Sequence, residues 1–465
     1  MLLMSLIGCA LKSITLPPPK AEVRRWTEQV DWQATTEEAT QILSDYLQVD
    51  TVNPPGNESN GTAFLANILA KEGIAHEIIP LSPNRSNLIA RLPGTGEDKP
   101  LCLLSHIDVV TSEEDKWTYP PLSGRIADGY VWGRGALDMK GMGVMELMSM
   151  LLLHRLQVPL KREVIFLAVA DEEVEGSGIK DLIANHWDKL NCGHLINEGG
   201  LGLKGAFFPE QTAYVISVGE KGSVWLKMKA FGEAGHGSTP RPNEAPVRLI
   251  AAINALQNRD VKVEIHPAVR QLLTQIGHAK GGVAGHVMSV PFLTSWLVTP
   301  KLMSNPLTRA SITNTVHLTG MGGANKPNVV PSEVYALLDC RILPGVDPDD
   351  FIAGLQEIVG PEIEFEVISS QAGNASPVAD PLYHALARYA VMDDPQAAVG
   401  PAISVGFTDS IHVRPKGTFA YGFMPIVATD KDMEGFHGAN EKLSIRNLHD
   451  GTKKLFHAIV EVSVR

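Results

Sequence analysis

The sequence predicts an α/β protein in which a smaller α+β domain interrupts a larger one. Two short apolar segments, residues 101–104 and 164–170, have the continuous hydrophobicity of strands that are buried on both faces of a parallel sheet. They alternate along the chain with segments of helical periodicity, which is the pattern of α/β folds. At 465 residues the chain is too long for one ordinary hydrophobic core, so we expect two or three domains.

The predicted elements of the larger domain begin with a helix over residues 35–47. A capping box, Thr35-Thr36-Glu37-Glu38, indicates its start, and apolar residues at helical spacing follow. Further helices are predicted at residues 61–72 and 142–153, and strands at 76–79, 87–91, 101–104, 164–170 and 194–196. From residue 377 the α/β pattern returns, with helices at 381–392 and 445–460 and a strand at 418–422.

The character of the chain changes near Ser217. Residues 224–230 alternate as in a strand with one buried face, and the predicted elements that follow are a helix (245–257), a strand (333–341), a helix (348–358) and a strand (363–367). We therefore expect an apolar segment and linker at residues 1–20, the larger domain at 21–218 and 371–465, and the insert at 219–370.

One part of the insert, residues 277–313, has no clear hydrophobic period. It contains Phe292 and Trp296 among several Met and Leu residues. A helical excursion that forms a wall of a substrate pocket is one interpretation, and a surface for a partner is the other.

Charge and cysteine usage exclude some classes of function. The formal net charge of −12 arises from 52 acidic and 40 basic residues, and no basic cluster is available to neutralise phosphates, so nucleic acid is not an expected partner. The four cysteines have no CxxC spacing of the kind that binds metals. Cys102 and Cys340 lie in apolar segments, where we expect unreactive buried thiols.

The amino-terminal residues leave the cellular compartment open. Residues 1–11 are mostly apolar but far fewer than the ~20 that a membrane-spanning helix needs. Leu6-Ile7-Gly8-Cys9 resembles a bacterial lipobox, although no Lys or Arg precedes it. Three alternatives remain for this segment: acylation of Cys9, a longer signal that a mis-assigned start codon truncates, and an unstructured terminus. The protein is accordingly cytoplasmic, or located in the cell envelope or secreted, and membrane association is expected only if Cys9 is lipidated.

The segment around His106 predicts the first part of a metal site. His106 lies at the carboxyl end of a predicted strand, where ligands collect in open α/β sheets. Asp108 is two residues further, so its carboxylate can orient the imidazole from behind. Asp138 follows Gly133 and Gly135, which permit close approach of the backbone, and it suits a carboxylate that bridges two ions. A structural histidine with a satisfied hydrogen bond is the simpler explanation of His106 taken alone.

Acidic residues follow two further predicted strands. Asp171-Glu172-Glu173 ends the strand at 164–170, and Glu198 follows the strand at 194–196. Adjacent carboxylates repel one another unless cations are present. The alternative is a solvated helix start, because acidic residues favour a first helical turn. In the metal interpretation Glu173 is a ligand while Glu172 stays free as a general base.

With His437, which precedes the last predicted helix, the set contains two imidazoles and three carboxylates. The five predicted ligands are His106, Asp138, Glu173, Glu198 and His437. Shared between two ions with Asp138 as the bridge, they give each ion one histidine, one terminal carboxylate and an open position. Nitrogen and oxygen ligands without thiolate favour two Zn²⁺ ions, with Co²⁺ or Mn²⁺ also compatible. The expected reaction is hydrolysis of an amide by a metal-activated water, with Glu172 as the base.

These motifs, in this order, resemble the co-catalytic zinc hydrolase family that includes aminoacylase, carboxypeptidase G, acetylornithine deacetylase, succinyl-diaminopimelate desuccinylase and vacuolar carboxypeptidase S. The resemblance extends from about residue 35 to the carboxyl terminus. It implies a catalytic domain interrupted by a lid domain that often forms homodimers. It also implies the metal ligands given above, Asp108 behind His106, and Glu172 as the base.

Three residues of the insert resemble substrate-contacting residues of that family. His236 in Gly-His-Gly-Ser resembles the lid histidine that stabilises the tetrahedral oxyanion, in dimers from the opposite subunit. Asn314 and Arg341 resemble residues that hold the free α-carboxylate of the substrate. The alternatives are that His236 is a turn histidine, that Asn314 is a plain loop residue and that Arg341 is a surface ion-pair partner.

The expected substrates are N-acyl amino acids or peptides cleaved at their C-terminal residue. Glu198, where several aminopeptidase and dipeptidase members have aspartate, favours this prediction. Phe292 and Trp296 are compatible with a pocket for an apolar acyl group or side chain, and equally with burial in the lid. A dipeptidase or aminopeptidase of the same family is the alternative enzyme. A binding protein that has lost its chemistry is a further alternative, which the intact Glu172 and ligand set disfavour.

Overall fold

The computed structural model describes residues 20–290 and 293–465. The helices within these ranges are α1 (Ala21–Thr27), α2 (Trp32–Leu47), α3 (Glu58–Lys71), α4 (Lys140–Arg155), α5 (Ser177–Asn185), α6 (Trp187–Leu190), α7 (Ala245–Gln257), α8 (Pro267–Lys280), α9 (Gly282–Ser289), α10 (Thr299–Ser304), α11 (Pro306–Ala310), α12 (Pro348–Val359), α13 (Pro381–Ala390), α14 (Ser410–Val413), α15 (Asp430–Met433) and α16 (Ile445–Ser463). Within these ranges no helix is both long enough and apolar enough to cross a bilayer. The Cys9 lipobox lies outside the described residues.

The strands form one large sheet, one four-stranded sheet and two small ones. In chain order they are β1 (Ala75–Ser82), β2 (Arg85–Leu92), β3 (Leu101–His106), β4 (Arg125–Ala127), β5 (Tyr130–Trp132), β6 (Val164–Val169), β7 (His194–Asn197), β8 (Gly202–Lys204), β9 (Thr212–Glu220), β10 (Gly222–Phe231), β11 (Gly235–His236), β12 (Thr315–Gly322), β13 (Val329–Val330), β14 (Glu333–Ile342), β15 (Ile363–Gln371), β16 (Asn374–Ala375), β17 (Ala398–Ser404), β18 (Phe419–Gly422), β19 (Val427–Ala428) and β20 (Lys442–Ser444).

The large sheet confirms the predicted α/β class. Its strand order is β1-β2-β6-β3-β7-β18-β9-β8-β19, with β16 and β17 paired to β9. The inner neighbours β6, β3, β7 and β18 are parallel, so their carboxyl ends meet at one edge of the sheet. Helices cover both faces. Leu101 and Leu103 of β3 face the core beneath α2, α4 and α16, whereas Leu104 faces the core beneath α5.

The second sheet, β12-β14-β10-β15, is antiparallel and has its own core. Val224, Leu226 and Met228 of β10 alternate into that core, as the sequence predicted for a one-sided strand. The helices α7 and α12 cover this face, with Leu249 and Leu355 among the buried contacts. The helix α7 has the bounds that the periodicity predicted.

The irregular stretch of the insert forms helices, and part of it packs on the large sheet. Met288 of α9 and Leu302 of α10 belong to the same hydrophobic core as β9 and β17. The predicted domain limits remain a proposal, because these helices lie within the predicted insert in sequence but contact the catalytic half. Trp296 is 69% exposed, so it is not part of the lid core in this chain. Phe292 lies outside the described residues.

The predicted start of the first long helix was wrong. The helix α2 begins at Trp32, and Oδ1 of Asp31 accepts hydrogen bonds from the backbone N–H groups of Gln33 and Ala34. The hydroxyl of Thr35 instead donates to the carbonyl oxygen of Asp31, 2.7 Å away, within the first turn. An aspartate four residues upstream therefore provides the cap, because it reaches the free N–H groups first.

The prediction for Cys102 was also wrong, whereas Cys340 is a buried free thiol as expected. Cys102 of β3 forms a disulfide with Cys192, which is 90 residues further along the chain and two residues before β7. The two strands are parallel neighbours, so their residues meet although nothing in the local sequence pairs them. The disulfide links the strand that ends in His106 to the strand that precedes Glu198.

Candidate metal centre

His106 is held at the carboxyl end of β3 by a hydrogen bond to the backbone of Asp108. Its side chain is buried, and Nδ1 lies 2.9 Å from the backbone carbonyl oxygen of Asp108. Because a carbonyl only accepts, Nδ1 donates, and Nε2 is left to face the cluster. Nε2 lies 3.0 Å from Oδ1 of Asp138 and 3.8 Å from Oε1 of Glu198.

Asp138 lies in a loop that a second acidic residue holds by its backbone. The carboxylate of Glu441 accepts hydrogen bonds from the backbone N–H groups of Gly135 (2.9 Å), Leu137 (2.7 Å) and Asp138 (3.0 Å), and it pairs with Arg134 at 2.7 Å. Gly135 has a φ of +90°, and a Cβ there would lie 2.7 Å from Cγ1 of Val109. Glycine is therefore required for this close approach.

Asp108 positions the two adjacent glutamates. Its Oδ1 accepts from the backbone N–H of Glu172, and its Oδ2 accepts from that of Glu173, both at 3.1 Å. Asp171, which precedes them, has a φ of +67°, an uncommon conformation for a residue with a side chain. After this sharp turn, Glu172 lies with His106 and Glu198, whereas Glu173 lies with His106 and Asp138.

His437 completes the cluster from the carboxyl-terminal part of the chain. Its Nε2 lies 3.2 Å from Oδ2 of Asp138 and 3.2 Å from Oε2 of Glu173. The two oxygens of Asp138 therefore face different histidines, with His106 on one side and His437 on the other. The side chain of His437 is 54% exposed, so this side of the cluster is open to solvent.

The donor atoms fit divalent cations. One donor atom each of His106, Asp138 and Glu173 lies within 4.8 Å of the others, and the same holds for His106, Glu172 and Glu198. Within the described ranges, the buried Oε1 of Glu173 and Oδ2 of Asp409 have no hydrogen-bond partner. Unpaired buried carboxylate oxygens are costly, and coordination of a cation removes that cost.

The charges within the cluster shift its titration strongly. Burial opposes ionisation of Asp138, but hydrogen bonds with His106 and His437 outweigh burial and hold the pKa of Asp138 well below its usual range. Burial, followed by the charge of Glu198, raises the pKa of Glu172. Burial and the charge of Asp138 likewise raise the pKa of Glu198. Too many acidic groups share this space for all to ionise without added positive charge.

Three residues that support the cluster were not predicted from the sequence. Asn53 donates through Nδ2 to Oδ2 of Asp108 (2.9 Å) and to Oδ1 of Asp171 (2.8 Å), and Glu441 holds the loop of Asp138. Asp409 is buried beside the cluster, and burial raises its pKa to about 7. The signals in the sequence were the rigid Asn53-Pro54-Pro55 loop, the Thr408-Asp409-Ser410 segment, which resembles a loop near the pocket rim of the family, and the position of Glu441 four residues after His437.

The three residues of the insert lie apart from the metal cluster. His236 is exposed, and Nδ1 of its ring lies 2.7 Å from the hydroxyl of Ser238. Asn314 and Arg341 line one cavity. The guanidinium of Arg341 lies 5.1 Å from the ring centre of Phe407, on the loop that leads to Asp409, so this end of the cavity approaches the cluster.

Comparison with known proteins places the chain in a family. The family model described as Peptidase family M20/M25/M40 matches residues 102–461. The chain belongs to this family. The family resemblance predicted from the five motifs is thereby confirmed, as is the prediction of a metallopeptidase-type hydrolase.

Relatives agree with this membership. The chain is 29% identical to a probable carboxypeptidase S-like 2 of Dictyostelium discoideum, over 78% of this chain and 71% of that protein. It is also 29% identical to the human N-fatty-acyl-amino acid synthase/hydrolase PM20D1, over 90% of this chain and 86% of that protein. The structure of the M20 family metallo-carboxypeptidase Sso-CP2 from Sulfolobus solfataricus superposes with a TM-score of 0.68 at 18% identity, covering 91% of this chain and 99% of that one, which shows a shared fold.

Proposed function

We propose that the protein hydrolyses the amide bond of N-acyl amino acids, or the C-terminal peptide bond of short peptides, at a two-metal centre. The observation that carries the proposal is Asp138, whose two carboxylate oxygens lie 3.0 Å from His106 and 3.2 Å from His437. A carboxylate that faces two histidines in this way is suited to bridge two ions. The names of the relatives, a carboxypeptidase S-like protein and an N-fatty-acyl-amino acid hydrolase, support this substrate class.

We propose zinc as the metal, with His106 and Glu198 on one side of Asp138 and His437 and Glu173 on the other. The set offers nitrogen and oxygen donors without thiolate, which suits Zn²⁺ and is compatible with Co²⁺ or Mn²⁺. When bound, such a pair of ions polarises the carbonyl of the substrate and lowers the pKa of water. The backbone hydrogen bonds to Asp108 and Glu441 keep the donor groups oriented.

Glu172 is the proposed general base. It lies beside His106 and Glu198, and burial together with the charge of Glu198 raises the pKa of its carboxyl group. A carboxylate with a raised pKa accepts the proton of the attacking water more readily, and it then gives this proton to the nitrogen of the leaving amine. Asp108 sets the position of Glu172 through the backbone hydrogen bond of 3.1 Å.

Arg341 and Asn314 are the proposed partners of the free α-carboxylate of the substrate. Nη1 of Arg341 is buried and has no partner within the described residues, so it can donate to a carboxylate. Oδ1 of Asn314 accepts from the backbone N–H of Leu343 at 2.8 Å, which orients the amide nitrogen as a donor. His236 is proposed to stabilise the oxyanion from the second subunit of a lid-mediated homodimer, because in its own chain it is exposed and apart from the cluster.

Three matched substrates test the proposal with zinc-loaded protein: an N-acyl amino acid, its C-terminal amide, and a free dipeptide. Cleavage of the first but not the second is the expected result, because only the first offers the carboxylate that Arg341 binds. Cleavage of the free dipeptide alone would replace the proposal by the dipeptidase alternative. Removal of metal with a chelator should abolish turnover, and two equivalents of Zn²⁺ should restore it.

A further inference from the structure

The cavity that contains Asn314 and Arg341 is larger and more basic than one α-carboxylate requires. It has a volume of about 540 Å³ and lies between the four-stranded sheet and the helices α10 and α11. Besides Arg341, two more arginines line it, Arg259 after α7 and Arg309 on α11. Three guanidinium groups in one cavity are unusual for a chain with a net charge of −12.

The negative charge available inside the cavity is already engaged. Among the described residues that line it, Asp339 is the only carboxylate. Its two oxygens accept from Nε and Nη2 of Arg341, at 2.7 and 3.0 Å. This pair leaves Nη1 of Arg341 for the substrate and leaves no carboxylate for the other two arginines. The cavity therefore carries uncompensated positive charge.

Within the described residues, Arg259 and Arg309 have no acidic partner. Arg259 donates to the backbone carbonyl oxygen of Leu256 at 2.7 Å, and in the same part of the chain Arg309 makes no side-chain hydrogen bond or ion pair. Burial, together with the charge of Arg309, shifts the pKa of Arg259 downward. Two guanidinium groups near enough to repel each other favour an anion between them.

The segment that carries Arg309 is held in place by a buried lysine. Nζ of Lys221, at the start of β10, donates to the carbonyl oxygens of Ala310 (2.9 Å) and Thr313 (2.8 Å). Lys221 is fully buried, so it fixes the backbone on both sides of the turn between α11 and β12. Arg309 and Asn314 flank this turn and therefore keep a set distance from Arg341 across the sheet.

We propose that this cavity binds the amino-acid part of the substrate and that Arg259 and Arg309 select an acidic side chain. The preferred substrates are then N-acyl aspartate or glutamate, or peptides that end in one of these residues. The α-carboxylate binds Arg341 and Asn314, and the side-chain carboxylate binds the other two arginines through charge-assisted hydrogen bonds. This inference rests on the proposed function and adds the class of amino acid that is released.

The test compares N-acetylglutamate with N-acetylglutamine, which have nearly the same shape and differ by one charge. We expect the wild-type protein to prefer the acid by about tenfold or more in kcat/KM, mainly through KM, because a hydrogen bond to a charged group contributes that much. Arg309→Gln should reduce this ratio toward one, and Arg309→Glu should reduce it below one. Lys301→Gln, on the exposed face of α10 and outside the cavity, is the matched control and should keep the wild-type ratio.

Product inhibition gives an independent measurement. L-glutamate should inhibit cleavage of a neutral substrate more strongly than L-glutamine, and Arg309→Gln should remove the difference. Equal cleavage of the two substrates by the wild type, or an unchanged ratio in Arg309→Gln, overturns the inference and leaves the proposed function intact. If neither substrate is cleaved, the proposed function fails. Calorimetric binding of L-glutamate that depends on Arg309 would in that case still support the inference about the cavity. Absence of this binding would overturn both the inference and the proposed function.

Discussion

The metal cluster and the cavity of the insert are built in opposite ways. In the cluster, acidic side chains meet at buried strand ends, and backbone N–H groups hold Asp108 and Glu441. In the cavity, arginines extend from a helix and a sheet face, and Arg309 is exposed with few contacts. The proposed reaction centre is thus held by backbone hydrogen bonds, whereas the side chains of the proposed recognition site contribute little to the fold. Changes in the first should therefore alter turnover or metal affinity, and changes in the second should alter substrate selection.

The largest expected effect is that of Glu172→Gln, a variant within the metal cluster. The variant keeps the shape of the side chain but cannot take a proton from water, so kcat should fall by about a hundredfold to ten-thousandfold. Zinc content, measured by atomic emission, should stay at the wild-type value because Glu172 is not a proposed ligand. Glu175→Gln, at an exposed position three residues further, is the control. A near-normal kcat in Glu172→Gln would remove Glu172 as the base.

A smaller loss is expected for Glu441→Gln, which leaves every proposed ligand in place. The amide cannot accept all the backbone N–H groups of residues 135, 137 and 138, nor balance the buried charge of Arg134. Affinity for Zn²⁺ should fall by about 10- to 100-fold, as for other residues that orient ligands from behind. Competition with a chromophoric chelator measures this change. Glu434→Gln, which is exposed, should bind as the wild type does, and equal affinity of both variants would show that Glu441 does not orient Asp138.

On the side of the cavity, Arg341→Lys should change KM rather than kcat. Lysine keeps the charge but loses the planar fork that can hold Asp339 and a carboxylate at once. We expect KM for an N-acyl amino acid to rise by about tenfold, with metal content unchanged. Arg248→Lys, elsewhere on the insert, is the control. A large loss of kcat with constant KM would contradict a role of Arg341 in binding the substrate before the reaction. It would also weaken the contrast between the metal cluster and the cavity.

The smallest expected effect on activity comes from the double variant Cys102→Ser/Cys192→Ser. It removes the covalent link between the strands that carry His106 and Glu198, and native disulfides typically contribute about 2–5 kcal/mol to stability. The midpoint of urea unfolding should fall, while kcat/KM at 25 °C should change little because Asp108 still positions the glutamates. Reductant should lower the midpoint of the wild type and not that of the variant. Equal midpoints of variant and wild type without reductant would show that the disulfide does not form in solution.

Much of the fold was predictable from local patterns. The continuous apolar character of β3 and β6, the alternation in β10 and the 3.6-residue period of α7 each follow from the burial of one face or both, which the local sequence records. Three of the proposed metal ligands, His106, Glu173 and Glu198, were also visible, because they lie at or just after the ends of such strands. The cap of α2 was missed because Asp31 competes with the capping box, and both have the required residue types.

The sequence by itself determined the fold class, the family resemblance and the order in which the candidate ligands occur. Only the tertiary structure decided which side chains meet. Asn53 joins the cluster from the amino-terminal part of the chain, and Asp409 and Glu441 join it from the carboxyl-terminal part. Cys102 pairs with Cys192 because β3 and β7 are neighbours in the sheet. Likewise, Arg259, Arg309 and Arg341 line one cavity from three different elements. Hydrophobic periodicity indicates how each segment is buried. Contacts between segments depend on the chain topology, which local sequence patterns do not indicate.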